Sequence, residues 1–164
     1  PKDREILFVP DQSLGDYINR TYGCSMVLWP GFCPTHHRFL VRDIDDMRAA
    51  HPGAPLCVHP ECTREIIERA DFTGSTSQII NFCSGSPATE FIIGTEEGIL
   101  HPLRQRNPGK RFHHLSPLAT CSNMKLITLE KIMWCLEDLA YEITLEEALR
   151  QRAFNAVNRM VQIS

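Results

Sequence analysis

Six short apolar runs, separated by helix-start signals, restrict this chain more than any other feature of its sequence. They are "ILFVP" (6–10), "SMVLWP" (25–30), "PLCVHP" (55–60), "ADFTG" (70–74), "EFIIGT" (90–95) and "KRFHHLS" (110–116). Runs of this length, bounded by Pro or Gly, read as strands. Between most of them lie helix signals. Asp43 is placed to cap a helix carrying Ile44 and Met47, Thr63 precedes "REIIERA", and Ser75 with Gln78 makes an S-x-x-Q capping box before "IINFC". Strands alternating with helices dictate right-handed βαβ units and a mostly parallel sheet. From about residue 122 the pattern becomes helical, with Leu129, Ile132, Met133, Leu136, Leu139 and Ala140 at 3.6-residue spacing. A second helix is expected from Thr144, where Thr144 and Glu147 match a capping box and Leu145, Ala148, Leu149 and Ala153 follow as an apolar face. Both read as packing elements.

Composition narrows the chemistry. With 164 residues and 43% hydrophobic side chains, the chain can bury a true core. Its formal charge of −3 is not gathered into any acidic or basic block, so neither nucleic acid nor a membrane surface is an expected partner. Small-molecule chemistry remains. The sequence contains no run of roughly 20 apolar residues, and "PKDREILFVP" lacks a signal-peptide layout, which predicts a cytoplasmic protein. Seven cysteines without regular spacing favour reduced thiols or metal ligands over disulfides. The chain starts at Pro1 rather than Met, which predicts a piece of a longer protein, with members of any site lying outside it.

In a parallel α/β sheet the carboxyl ends of the strands share one rim, where loops and helix N-termini converge on ligands. Here those ends read "PDQ" (10–12), "PGFC" (30–33), "HPEC" (59–62), "GSTS" (74–77), "TEE" (95–97) and "SPLATC" (116–121). Cys33, His59, Glu61, Ser75, Thr76, Glu96 and Cys121 are therefore expected on one edge, although the two cysteines are 88 positions apart.

Each candidate has a plainer reading. Cys57 in "LCV", Cys83 on an apolar helix face and Cys135 in a helix read as small buried hydrophobes, and Cys24 as a turn residue. Cys33 and Cys121 differ because both occupy Pro- or Gly-marked turns, where function and packing are equally open. In "HPEC", Pro60 stiffens the turn between His59 and Glu61, which suits acid–base work; alternatively Glu61 serves the next helix dipole. "GSTS" offers N–H groups and hydroxyls for an anion, or plain N-capping by Ser75. His101, His113 and His114 read as surface or strand-edge residues. A zinc alternative competes: Cys33-x-x-His36 with His59-x-x-Cys62 supplies a Cys₂His₂ set for a zinc-stabilised α/β binding module without catalysis. A cluster-free, catalytically dead binding domain is a third reading.

The motifs "LFVPDQSLGDYI", "LWPGFCPTHHRF", "HPECTREIIERADFTGSTSQII", "TEEGI" and "CSNMKLITLEKI" follow one another in the order and spacing of quinolinate synthase, the iron–sulfur enzyme of NAD biosynthesis. The chain resembles the C-terminal half of that family over essentially its whole length. The resemblance implies parallel-sheet three-layer αβα domains from a three-domain pseudo-symmetric fold, followed by C-terminal helices. Residues 1–33 would complete the central domain, 34–121 form the third, and 122–164 supply the helices. It implies condensation of iminoaspartate with dihydroxyacetone phosphate to quinolinate, phosphate and water, with a functional link to L-aspartate oxidase. It also implies a [4Fe–4S] cluster whose ligands include Cys33 and Cys121, the third cysteine lying in an N-terminal part outside this sequence. Such a cluster keeps one iron open as a Lewis acid. By the same resemblance Ser75 and Thr76 bind a substrate anion, Glu61 carries protons with His59 as its orienting partner, and Met124 lines the cavity. Cys62 is then local packing. His36 matches a family position without an assigned role. The 164 residues alone are expected to hold no stable cluster and to be inactive.

Overall fold

A computed structural model describes residues 4–163, so the first three residues of the predicted 1–33 segment lie outside it. The chain forms two compact units, one ending at Cys121 and one beginning at Ser122. All six apolar runs of the first unit contain strands. β1 (Leu7–Phe8) pairs in parallel with β2 (Val27–Leu28) across α1 (Gln12–Tyr22), making a small βαβ unit. Gly15 of α1 is buried there, where a side chain would run into Leu28 and Phe8.

The rest of the first unit is a four-stranded parallel sheet of β3 (Leu56–Val58), β4 (Phe72–Thr73), β5 (Glu90–Gly94) and β6 (Arg111–His114), in the order β4-β3-β5-β6. α2 (Val41–Ala50) leads into β3, and α3 (Arg64–Ile67), α4 (Thr76–Gly85) and α5 (Leu100–Arg106) are the crossovers. Strand alternation sorts the core into two faces. Leu56, Val58 and Ile92 pack with Phe39, Ile44 and Ile66 on the α2/α3 side. Cys57, Phe91 and Ile93 pack with Ile79, Cys83 and Leu103 on the α4/α5 side. This is the expected three-layer αβα arrangement, and burying each such Leu, Ile or Phe contributes roughly 1.5–3 kcal/mol.

The strand order fixes where a ligand can enter. β3 runs outward to β4, and the chain then returns past β3 to β5, so the order reverses between β3 and β5. In sheets of this topology ligands bind outside the carboxyl ends of the two strands that flank the reversal. "HPEC" follows β3 and "TEE" follows β5.

Three local expectations are corrected. Asp43 does not cap α2 from outside; it is the third helical residue, and its carboxylate reaches back to accept from Leu40 N at 2.9 Å. In the second unit, α6 (Leu129–Asp138) is capped by Thr128, and Leu139, placed on the helical stripe, instead closes the helix in a left-handed conformation with φ 49°. α7 (Glu147–Ile163) starts after Thr144, and the adjacent Glu146 takes the capping role, accepting at 3.0 Å from Ala148 N and Leu149 N. A carboxylate closer to the free N–H groups displaces the predicted hydroxyl. Among the described residues no helix is long and apolar enough to cross a membrane.

Candidate active site

The rim is assembled from loops that hydrogen bonds tie together. Asp11, directly after Pro10, is the N-cap of α1: one carboxylate oxygen accepts from Leu14 N at 2.8 Å and the other from Cys33 N at 2.9 Å. One buried acid thus starts a helix and places the cysteine loop. Gly31 is forced by the same approach, because a Cβ there would lie 2.3 Å from the Pro10 carbonyl oxygen. Gln12 N donates to Gly31 O at 2.7 Å, closing the turn.

A single 3₁₀ turn, His36–Arg38, follows Cys33. His36 is buried, with Nε2 2.9 Å from Thr95 Oγ1 and Nδ1 3.1 Å from Glu61 Oε2; the second contact is close but not aligned as a straight hydrogen bond. Its ring stacks on His59 with centroids 4.8 Å apart. The ligating atoms of Cys33, His36 and Glu61 all lie within 4.8 Å of one another. Arg38 then crosses to the last segment of the unit, donating to Leu118 O at 3.0 Å and Thr120 O at 3.4 Å. From the other side the buried Glu96 accepts from Cys121 N at 3.3 Å and from Gly98 N at 2.7 Å. Both cysteines are half-buried, and the loops that carry them meet at this one edge.

Environment separates the ionisable groups. The imidazole of His36 beside Glu61 holds its carboxyl below the usual carboxylate range, outweighing the upward push of burial. His59 is pushed down, first by burial and then by His36. Its Nδ1 accepts from Glu61 N at 3.3 Å, so the proton of the neutral ring sits on Nε2. Near pH 7 this pairs an ionised Glu61 with a neutral His59, a base next to a hydrogen-bond donor. The imidazole nearest the Glu61 carboxylate is that of His36, with His59 Nδ1 at 3.9 Å.

The remaining residues fall as follows. Ser75 caps α4, accepting from Gln78 N at 3.4 Å and donating its own N–H to Gln78 Oε1 at 2.8 Å; both it and Thr76 are exposed at the carboxyl end of β4, beside β3. Met124 lies in a 3₁₀ turn, Met124–Leu126, of the second unit and is exposed. Cys62 is fully buried and its S–H donates to Gly94 O at 3.4 Å, while burial pushes its thiol pKa strongly up. The Cys₂His₂ zinc set is therefore not assembled: among the described residues, Glu61 rather than Cys62 converges with Cys33 and His36. His113 and His114 stand on the edge strand β6, yet both are half-buried, and His114 Nε2 lies 2.7 Å from Thr95 O. Asp11, Thr95 and the role of His36 were missed. A helix-start Asp after Pro10 was a local signal for the first; the other two depend on contact across 59 positions.

Comparison with known proteins identifies the family of the chain. The family model described as quinolinate synthetase A protein matches residues 1–162. The quinolinate synthase of Caldicellulosiruptor saccharolyticus is 46% identical over 165 residues, covering 100% of this chain and 54% of that protein. That of Alkaliphilus metalliredigens is 44% identical over 160 residues, with coverage of 97% and 53%. Quinolinate synthase 1 of Methanosarcina acetivorans is 40% identical over 159 residues, with 97% and 52% covered. The chain spans about half the length of the curated relatives it matches.

Proposed function

Since the chain belongs to the quinolinate synthetase A family, we propose that it supplies about half of a quinolinate synthase active site, which condenses iminoaspartate with dihydroxyacetone phosphate in the cytoplasm. A single observation supports this most: the Cys33 thiol lies with His36 beside an ionised Glu61, and Arg38 of the same turn reaches the segment that leads into Cys121, 88 positions on.

The donor set fits an iron–sulfur group. Soft thiolates are its protein ligands, and Cys33 and Cys121 are the two rim cysteines, whereas Cys57, Cys62 and Cys83 are fully buried in the core. In this reading they hold a [4Fe–4S] cluster with a third cysteine from the portion outside this chain. When bound, the cluster supplies Lewis acidity through an iron without a protein ligand.

The chain's own residues supply the rest. Glu61, kept ionised by His36, removes a proton from carbon next to a carbonyl during isomerisation and returns it to the leaving hydroxyl during dehydration. His59 donates from Nε2 to a substrate oxygen. Ser75 and Thr76, at the start of α4, face the positive end of a ten-residue helix and bind carboxylate or phosphate. Because iminoaspartate hydrolyses readily, its supply calls for an amino-acid oxidation close at hand, the role of L-aspartate oxidase.

Anaerobic purification of the full-length protein tests this. The reading expects a brown protein with broad absorbance at about 400 nm, lost in Cys33→Ser and in Cys121→Ser and kept in Cys62→Ser. A colourless full-length protein carrying one zinc would overturn it.

A further inference from the structure

The opposite end of the sheet carries a second convergence of metal-binding side chains, and it is independent of the reading above. Glu90 opens β5, His113 sits in β6 beside it, and His51 closes α2. Glu90 Oε2 lies 3.5 Å from His51 Nδ1 and 3.4 Å from His113 Nε2, and the three ligating atoms all fall within 4.8 Å. The imidazoles stack with centroids 3.6 Å apart and planes 19° from parallel.

We propose that His51, Glu90 and His113 form a three-ligand site for a divalent first-row transition ion of the zinc class. The spacing suits such an ion. Bonds of about 2.0–2.2 Å at tetrahedral angles put neighbouring ligand atoms roughly 3.3–3.6 Å apart, and both measured contacts of Glu90 Oε2 lie in that range. Two imidazole nitrogens and one carboxylate oxygen are a borderline set, matched to Zn²⁺, Co²⁺ or Ni²⁺ rather than to Mg²⁺ or Ca²⁺.

Three further features support the assignment. His113 Nε2 is a buried atom without a hydrogen-bond partner, a state that folded proteins rarely keep. Burial, then His51, Arg111 and Arg104, hold the His113 ring on the neutral side, the form that ligates. Arg111 pairs with the other carboxylate oxygen of Glu90, Oε1, which leaves Oε2 turned to the histidines, as an outer partner orients a ligand. A cleft of about 510 Å³, lined in part by His51, Pro52, Ala88 and Glu90, leaves room for water as a fourth ligand. Parallel rings do not both aim their lone pairs at one point, so binding opens the stack.

The test is a Co²⁺ titration of the full-length protein carrying Cys33→Ser and Cys121→Ser, which removes the two rim thiols of this chain and any brown background. One Co²⁺ is expected, with visible ligand-field bands and without thiolate charge transfer. Adding His51→Phe, which keeps a stacked ring, or Glu90→Gln should weaken binding at least tenfold, and adding His36→Ala should not. Anomalous scattering from Co²⁺-soaked crystals of the parent should place the ion between the three side chains, a readout that needs no further variant. No uptake by the parent, equal affinity in His51→Phe and Glu90→Gln, or an anomalous peak elsewhere would overturn the proposal.

Discussion

The two ends of the four-stranded sheet use the same residue types in opposite ways. At the carboxyl end, histidine and carboxylate are wired outward: His36 to Thr95 and Glu61, Asp11 to Cys33, and Glu96 to Cys121. At the amino end they are turned inward on one another, two stacked rings against Glu90, and each end leaves one buried imidazole nitrogen without a hydrogen bond, His36 Nδ1 and His113 Nε2. The first arrangement holds loops, which is what a reacting site between diverging strands requires. The second holds the ends of three elements and asks for a cation. Shared chemistry does not make a shared role; the direction of the hydrogen bonds decides.

Changes at the carboxyl end should have the larger consequences. In the full-length protein, Cys33→Ser or Cys121→Ser should abolish both the 400 nm absorbance (about that wavelength) and synthase turnover, and the 164 residues alone should show neither. Retention of turnover without either thiol would erase the contrast between the two ends. Glu61→Gln should lower turnover by ~10²-fold or more with the colour intact. His36→Gln should move the acidic limb of the pH–rate profile to higher pH, because the imidazole that keeps Glu61 ionised is gone; an unmoved limb would leave His36 only a packing role.

Stability effects are smaller. Gly31→Ala forces a Cβ onto a backbone oxygen and should cost about 1–3 kcal/mol, a fall of several degrees in Tm by calorimetry. Acidification should also act. The His59 pKa is lowered in the fold, so the unfolded chain binds the proton more readily, and stability falls once pH drops below about 6.5. The Glu61 pKa is lowered too, so its contribution is present above about pH 4.3 and is lost below that as the carboxylate protonates. His59→Gln should flatten the upper part of the curve and Glu61→Gln the lower. At the amino end, the exposed Arg111 should matter least: Arg111→Gln should change stability by under about 1 kcal/mol in a urea titration.

The strands and the shared rim were legible because their signals are local. Each apolar run contains its strand, which stops one or two residues before the run does, and close contacts tie the turn after Cys33 to Glu61 and Thr95 and the end of the unit at Cys121 to Glu96. The wiring was not legible. His36 meets Thr95 across 59 positions and Asp11 meets Cys33 across 22, and nothing in the neighbouring sequence encodes those pairings. The start of α7 was misread for a different reason: Thr144 and Glu146 compete for the same free N–H groups, and spacing alone does not rank them.

The crossing of Arg38 to Leu118 and Thr120 carries a further implication. Pockets built on one loop can be transplanted as a peptide or exchanged between proteins as a cassette. Here the ring of contacts runs from Asp11 to Cys121, 110 positions, through the loops that follow β2, β3 and β5. Such a centre is inherited whole or not at all, and any engineered host would have to receive the entire sheet along with it.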